Sequence, residues 1–328
     1  MPTFQLPSFA KNAKDGALGK ISNFLLILLL SSTAFAQTPA SNLGALKDLD
    51  KDLTVLDLSM TEVTDLGPLR ELKNLSKLYL AYTRVSDVSP LKDLKSLTEL
   101  GLLGTLVSDV GPLKDLKNLT LLDLTATRVS DVGPLMDLQR LTRLNLGNTP
   151  VKDVSPLKGL KSLTALDLDA TPLTDLEFLK EFKGLTELYL DRTEVSDLNP
   201  LKELKNLTVL GLIGTRATDL GPLQDLKDLK WLNLSDSRVT DLRPLQDLQN
   251  LTYLDLSDTP VIDVSPLKGL KSLTTLNLGY TKVSDVGALQ EVKTLAELNL
   301  GDTLVSDVSV NNLKKSLPNL QINGLIHR

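Results

Sequence analysis

A leucine recurs every 22 residues along most of this chain, and no insertion or deletion interrupts the series. A fixed period of this length is typical of a solenoid, in which each repeat stacks only on its neighbours. One repeat cannot bury its own apolar face, so stability has to come from contacts between successive repeats. The period is defined by Leu53, Leu75, Leu97, Leu119, Leu141, Leu163, Leu185, Leu207, Leu229, Leu251, Leu273, Leu295 and Leu317.

The first repeat shows which part of the unit forms a strand. It reads LTVLDLSMTEVTDLGPLRELKN from Leu53, and its Leu56, Asp57 and Leu58 alternate between apolar and polar, as a half-buried strand does. Stacked about 4.8 Å apart, the strands of all the repeats would form a parallel sheet roughly 58 Å long. We therefore predict an α/β solenoid, a right-handed superhelix with its parallel sheet on the concave face and short helical or 3-10 turns on the other side.

Two polar residue types recur at fixed places in the repeat. One column is Asp, and we interpret each carboxylate as a cap for the backbone N–H groups of the turn that follows. The other is Thr with one Ser, whose hydroxyls should satisfy backbone groups where the chain leaves the strand. A calcium spine is the alternative interpretation of the Asp column. The columns comprise Asp65, Asp87, Asp109, Asp131, Asp153, Asp175, Asp197, Asp219, Asp241, Asp263, Asp285 and Asp307, and Thr61, Thr83, Thr105, Thr127, Thr149, Thr171, Thr193, Thr215, Ser237, Thr259, Thr281 and Thr303.

The repeat pattern LxxLxLxxTxVxDLxPLxxLxx resembles the 22-residue class of bacterial leucine-rich repeats, the internalin-like class, and it extends over residues 53 to 322. Internalins are surface proteins that bind host receptors through the concave face. The resemblance implies the leucine-rich-repeat fold and a role in binding another protein.

The ends of the chain depart from the repeat. Lys11, Lys14 and Lys20 precede an apolar run over 24–30 and a small-residue cleavage site at 34–36, which together indicate a signal peptide at 1–36. An uncleaved membrane anchor is the alternative. We predict a degenerate half-repeat at 37–52, the repeat array at 53–308 and a capping repeat at 309–328. The capping repeat should contain a helix over 309–317 and a last strand over 320–322, because a solenoid end must cover its core.

Several classes of function lack sequence support. The chain has no cysteine and only one histidine, His327. It contains no Ser/His/Asp arrangement, no HExxH motif and no glycine-rich nucleotide-binding loop. Its formal net charge of -5 disfavours nucleic acid as a partner, because phosphate binding requires a basic face. We therefore predict no enzyme activity, no cofactor, no metal and no small-molecule substrate.

Aromatic residues mark the candidate binding surface. All five tyrosines and the single tryptophan fall in the columns predicted to flank the strand leucines on the concave face. Trp231 and Tyr253 share one column in adjacent repeats, so they should lie about 4.8 Å apart along the ladder. Tyr and Trp are enriched at binding hot spots, although aromatic residues also suit strands for structural reasons. We predict a partner-binding site made of Tyr189, Asp191, Trp231, Asp236, Tyr253, Asp255, Asp258 and Tyr280.

The same columns are strongly acidic. Such a face can bind a basic partner, or it can keep an exposed sheet soluble, and the sequence leaves both interpretations open. The acidic residues are Asp57, Glu99, Asp123, Asp167, Asp169, Glu187, Asp191, Asp236, Asp255, Asp258, Glu297 and Asp302, and the basic ones are Lys77, Arg143 and Arg192.

Three functions are compatible with these observations. The first is extracytoplasmic protein binding through the concave face by a secreted, periplasmic or cell-surface protein. The second is a structural envelope component that contacts cell-wall polymer or membrane proteins without a discrete hot spot. The third is a calcium-binding surface around Asp236, Asp255 and Asp258. An internal duplication adds to this picture, because residues 151–163 recur at 261–273 with one change, an offset of five repeats.

Overall fold

The computed structural model describes residues 50–324, so the predicted signal peptide, most of the half-repeat at 37–52 and the last four residues lie outside the described part. Within residues 50–324 the strands form one parallel sheet in chain order, and each strand pairs with the next. The strands are β1 (Val55–Asp57), β2 (Lys77–Tyr79), β3 (Glu99–Gly101), β4 (Leu121–Asp123), β5 (Arg143–Asn145), β6 (Ala165–Asp167), β7 (Glu187–Tyr189), β8 (Val209–Gly211), β9 (Trp231–Asn233), β10 (Tyr253–Asp255), β11 (Thr275–Asn277), β12 (Glu297–Asn299) and β13 (Gln321–Asn323).

The sheet register follows the sequence period. Leu56 of β1 pairs with Leu78 of β2, and Leu254 of β10 pairs with Leu276 of β11, in each case 22 residues apart. The central residue of each strand from β1 to β12 is buried, whereas its two neighbours mostly remain partly exposed. Side chains at the flanking positions therefore share one face of the sheet, which we call the sheet face. The predicted solenoid with its parallel sheet is confirmed.

Short 3-10 helices connect the strands. Most begin with a proline in their first turn, where a fixed φ suits the turn and no ladder donor is needed. Their leucines point inward and complete the core. The segments span Gly67–Glu71, Ser89–Leu91, Gly111–Leu113, Gly133–Leu135, Ser155–Gly159, Glu177–Glu181, Asn199–Glu203, Gly221–Leu223, Arg243–Leu245, Ser265–Gly269 and Gly287–Glu291.

The core is a continuous column of leucine and valine that runs the length of the array. In the middle repeats these side chains are almost completely buried, as at Leu166, Leu188 and Leu210 in the centres of β6, β7 and β8. Burying each such side chain contributes about 1.5–3 kcal/mol, and most of that comes from contacts with the repeats on either side.

The Asp column caps the turns as predicted. In eleven of the described repeats an Asp side chain accepts a hydrogen bond from the backbone N–H two residues further on. The exception is Asp307, which lies in the first turn of an α-helix whose cap is Ser306. The column is therefore accounted for by backbone hydrogen bonds.

The Thr column has a similar structural role. In eleven described repeats the hydroxyl donates to the carbonyl oxygen three residues earlier, for example from Thr149 to Leu146 at 2.6 Å. The exception is Ser237, whose buried hydroxyl has no hydrogen-bond partner among residues 50–324. A serine lacks the methyl group that fixes the threonine rotamer, so its hydroxyl is oriented less strongly.

The C-terminal end of the array is covered by α1 (Asp307–Ser316), the α-helix of the described part of the chain. The sequence predicts this helix over 309–317, so it begins two residues earlier than predicted and ends one residue earlier. It begins earlier because Ser306 accepts the first capping hydrogen bond, from the backbone N–H of Ser309. Val310, Leu313 and Leu317 are buried against the last repeat. The last strand, β13, begins one residue later than predicted.

Folding of the chain from Gln37 is expected to be independent of metal ions. The Asp column already accepts backbone hydrogen bonds, and no cluster of His, Cys, Asp and Glu within residues 50–324 could hold a metal ion. Thermal melts with and without a chelator should coincide. Loss of more than about 3 kcal/mol of stability on chelation would show that a bound metal contributes to the folded state.

Candidate functional site

The sheet face ends in a row of turn residues that we call the rim, one in each repeat just beyond the strand. Each of these residues, the two glycines included, adopts a left-handed backbone, which L-amino acids other than Asn and Asp rarely enter. The left-handed turn redirects the chain and ends the sheet face. The rim consists of Met60, Tyr82, Gly104, Ala126, Asn148, Ala170, Arg192, Gly214, Asp236, Asp258, Tyr280 and Asp302.

Three aromatic rings lie together on the sheet face, and we call Tyr189, Trp231 and Tyr253 the aromatic ladder. The rings of Trp231 and Tyr253 are stacked, with centroids 5.3 Å apart and planes within 10° of parallel. The rings of Tyr189 and Trp231 are 6.4 Å apart and tilted by 57°. Trp231 and Tyr253 are register partners, so the predicted neighbour relation is confirmed, and the contact with Tyr189 adds a third ring.

Tyr189 reaches Trp231 across the intervening strand β8. Its register partner there is Gly211, which has no side chain to separate the two rings. All three rings are partly exposed. Burial raises the pKa of Tyr189 and of Tyr253 to about 12, and the Tyr253 hydroxyl donates to Asp255 Oδ2 at 3.3 Å.

The fourth aromatic residue of the predicted site, Tyr280, lies apart from the ladder. It is a rim residue with a left-handed backbone, and 67% of its surface is exposed. The structure therefore does not stack Tyr280 with the other rings, although it places all four residues in the same part of the array.

Two of the predicted carboxylates are already used inside the protein. Asp255 is only 8% exposed and accepts hydrogen bonds from the backbone N–H and hydroxyl of Ser257 and from the side-chain amide of Asn277. Asp191 accepts a bond from the backbone N–H of Ile213. Both carboxylates are therefore already engaged in hydrogen bonds with their own chain.

The other two predicted carboxylates are free to interact. Asp236 and Asp258 are exposed rim residues of adjacent repeats. Neither forms an ion pair with a cationic side chain within residues 50–324. Asp236 leans over Gly214 of the preceding repeat, with its Oδ2 3.4 Å from the place that a Cβ would occupy there.

Internal ion pairs reduce the acidic character of the face below what the residue count suggests. Glu187 pairs with Arg143 across two repeats at 2.9 Å, and Asp169 pairs with Arg192. Sequence reasoning did not find these pairs, because partners 44 or 23 residues apart have no local signal.

A second aromatic pair lies in the N-terminal half, where Tyr79 and Tyr82 lean over the glycines of the next repeat. Tyr79 donates to Glu99 at 2.6 Å, and Lys77 pairs with the same carboxylate at 2.6 Å. Burial opposes ionisation of Glu99, but these two donors outweigh it and lower its pKa. These contacts hold Tyr79 in place, and no ring stacking joins it to Tyr82 within residues 50–324.

Asp167 and Asp191 flank Tyr189 and share an unusual electrostatic environment. Burial raises the pKa of each to about 6, against hydrogen bonds from backbone N–H groups and the nearby Arg192. Repulsion by Asp169 adds to the rise at both, together with Asp123 at Asp167 and with Asp167 at Asp191. A buried carboxylate with a raised pKa costs stability when it is ionised.

Replacing Asp167 with Asn is expected to stabilise the protein at pH 7 by about 1–2 kcal/mol. Because the pKa of Asp167 is raised, the folded protein binds its proton more tightly than the unfolded chain does. The stability of wild type therefore falls as the pH rises from about 4 to 6, and it stays low above pH 6. Asn233 shows that an amide fits this column, because its Oδ1 accepts the Ser235 N–H at 2.9 Å, as Asp167 accepts that of Asp169.

Urea denaturation at pH 4 and pH 7 measures this effect as the difference between Asp167→Asn and wild type. The matched control is Asp57→Asn, which has the same type of turn bond but an exposed side chain, and it should change stability by less than about 0.5 kcal/mol. Equal effects of the two substitutions at pH 7 would contradict the role assigned to burial.

The repeats of this chain match a known protein family. The family described as "Leucine Rich repeats (2 copies)" matches residues 51–93, 139–181, 227–269 and 249–291. No curated protein sequence matched the chain.

Several solved structures are similar to this chain over most of their length. An internalin (inlF) of Listeria monocytogenes is 27% identical with a TM-score of 0.79, and the match covers 85% of each chain. Internalin C2 of the same species is 30% identical with a TM-score of 0.51, over 63% of this chain and 82% of that one. A leucine-rich-repeat protein of Leptospira interrogans is 25% identical with a TM-score of 0.67, over 83% of this chain and 81% of that one. The chain therefore belongs to the bacterial leucine-rich-repeat proteins of the internalin-like class.

Proposed function

We propose that this protein binds another protein through its sheet face, with the aromatic ladder as the centre of the contact. The observation that carries the proposal is a row of three partly exposed rings, in which Trp231 contacts both Tyr189 and Tyr253. Core positions are filled almost entirely by leucine and valine, with Phe182 as the one buried aromatic residue of the core in the described part of the chain, so the three rings of the ladder are not needed to complete the core. Large, rigid rings at a surface release much water on binding and lose little side-chain freedom.

The shape of the surface supports a macromolecular partner. The sheet of residues 50–324 is an open, thirteen-stranded array, and solenoids of this kind offer extended surfaces rather than closed pockets. An open, hydrated surface suits recognition better than acid–base catalysis, which depends on shielded groups. Protein binding is also the common role of the leucine-rich-repeat fold.

The place of action that we propose is outside the cytoplasm, as a secreted, periplasmic or surface protein. The support is the signal-like segment at 1–36 in the sequence. Within residues 50–324 no helix has the length and apolar character that crossing a bilayer requires.

Association with the partner should be sensitive to salt. The exposed carboxylates of Asp236 and Asp258 lie in the same two repeats as Trp231 and Tyr253, so a partner that covers the ladder meets negative charge. Association rates measured by stopped flow should fall at least about tenfold between low and physiological ionic strength. An unchanged rate would mean that the acidic residues keep the surface soluble and do not attract the partner.

Site-specific crosslinking tests the proposal. A photoreactive benzoylphenylalanine at Thr275, the register neighbour of Tyr253, should crosslink one discrete protein in the native envelope. The same group at Lys92, an exposed residue just after a 3-10 segment, should not. Crosslinking of the same protein from Lys92 alone would overturn the proposal, and a heterogeneous polymer captured from both positions would favour a structural envelope component.

A further inference from the structure

Two adjacent repeats carry the same pair of groups in the same places. Trp231 begins β9 and Asp236 follows that strand at the rim, while Tyr253 begins β10 and Asp258 follows it. The two repeats are in register. Each unit therefore has a ring at one side of the sheet face and a carboxylate at the other, and the two units lie side by side.

The distance between ring and carboxylate sets the size of a ligand. Backbone ladder bonds continue past the strand as far as the rim, where the Asp236 N–H donates to Ser257 at 3.0 Å. Ring and carboxylate are thus separated by the strand and by the turn at Ser235 and Asp236, a span of at most roughly 15 Å. One side chain cannot reach from ring to carboxylate, but an extended segment of about five residues can.

The surface between the two ends is shallow, polar and already bonded. Asn233 and Asp255 are buried there, and each accepts a hydrogen bond from the backbone N–H of the serine two residues on. Ser235 and Ser257 are small and partly exposed. An extended backbone can therefore lie across the two strands without displacing a large side chain.

The negative charge at the rim favours a basic side chain in a bound segment. Most other acidic side chains on this face pair with Lys77, Arg143 or Arg192 or accept backbone hydrogen bonds, whereas Asp236 and Asp258 have no cationic partner within residues 50–324. Glu297 and Asp302 are also exposed, but they lie outside the two repeats that carry Trp231 and Tyr253. Two like charges on adjacent repeats repel each other, and a guanidinium or ammonium group placed between them relieves that repulsion.

The orientation of the Trp231 and Tyr253 rings favours an apolar or aromatic side chain at the other end of the segment. The nearly parallel planes of Trp231 and Tyr253 mean that each ring covers one face of the other. Ring edges and outer faces remain for contact, and these favour an apolar or aromatic side chain packed against the ladder.

We propose that β9 and β10 bind an extended segment of the partner that runs along the strand direction. One apolar or aromatic side chain packs against Trp231 and Tyr253, and one or two Arg or Lys side chains about five residues away pair with Asp236 and Asp258. This inference rests on the proposed protein-binding function and adds the sequence character of the bound segment.

Fluorescence titration of the full chain tests the spacing, because Trp231 is the only tryptophan. The probe is an acetylated, amidated heptapeptide with Phe at its first position, Arg at its sixth and seventh, and alternating Gly and Ser between. One control peptide has Glu in place of both Arg, and another has the Arg pair directly after Phe. The probe should bind about tenfold more tightly than the Glu peptide and several-fold more tightly than the close-spaced one.

Substitution at the rim separates this site from non-specific attraction. Asp236→Asn with Asp258→Asn should weaken probe binding about tenfold, whereas Asp302→Asn, at an exposed rim position two repeats beyond Asp258, should change it less than about twofold. Equal losses in both variants, equal affinity for all three peptides, or no fluorescence response at millimolar peptide would overturn the proposal. If the probe fails while crosslinking from Thr275 still captures a discrete protein, protein binding stands and the extended segment is excluded.

Discussion

Replacing Leu188 with Ala is expected to lower the free energy of unfolding by about 3–4 kcal/mol. The side chain is completely buried at the centre of β7 and lies between Leu166 and Leu210 in the neighbouring strands. Removing three carbon atoms there leaves a cavity that both adjacent repeats share, and a solenoid has no other core to compensate. Urea denaturation followed by far-ultraviolet circular dichroism measures the loss.

The matched control is Leu304→Ala, the same substitution at a side chain that is 61% exposed. It should change stability by less than about 0.5 kcal/mol. Similar losses at both positions would mean that stability does not depend on the leucine column in the way that the structure indicates.

Replacing Trp231 with Ala is expected to weaken partner binding by about 2 kcal/mol or more, a factor of about 30. The substitution removes the central ring of the aromatic ladder, which contacts both Tyr189 and Tyr253. The fold should remain intact, because the side chain lies on the sheet face and is partly exposed. Calorimetric titration with the purified partner gives the affinity, and circular dichroism verifies folding.

Two controls locate the effect. Tyr79→Ala removes a ring from the N-terminal half and should matter less. Lys92→Glu alters the 3-10 side and should leave affinity unchanged within about twofold. An unfolded Trp231→Ala protein would show that the residue belongs to the core, and a loss of binding only in Lys92→Glu would place the interface on the opposite side.

The fold could be predicted from the sequence because one period fixes every register. Once residues 22 apart are placed in adjacent strands, the pairing of Leu56 with Leu78 applies to the whole array. The stacking of Trp231 on Tyr253 followed from the same rule. The exact ends of α1 did not, because they depend on which side chain caps the first turn.

The roles of the site carboxylates were harder to predict. A column shows which way a side chain points, but it does not show whether backbone donors already use it, as they do at Asp255. One signal was present: the same column holds Asn233, Asn277 and Asn299, and an alternation of Asp and Asn suggests an acceptor for a turn N–H. The ring contact between Tyr189 and Trp231 had no comparable signal, because it spans an intervening strand.

The left-handed rim could also have been predicted from the residue types that occupy its position in the repeat. Gly104, Asn148 and Gly214 occupy this column, and glycine and asparagine tolerate a positive φ better than other residues. With that signal, Asp236, Asp258 and Tyr280 would have been separated from the strand positions before the structure was known.

Hydroxyl-radical footprinting of the protein with and without its partner tests the central claim most directly, because reactive side chains mark both sides of the array. Trp231 and Tyr253 report on the sheet face, and Met136, which is 52% exposed after a 3-10 segment, reports on the other side. Binding through the sheet face predicts that oxidation of Trp231 and Tyr253 falls several-fold in the complex while that of Met136 is unchanged. Protection of Met136 with no change at Trp231 and Tyr253 would contradict it.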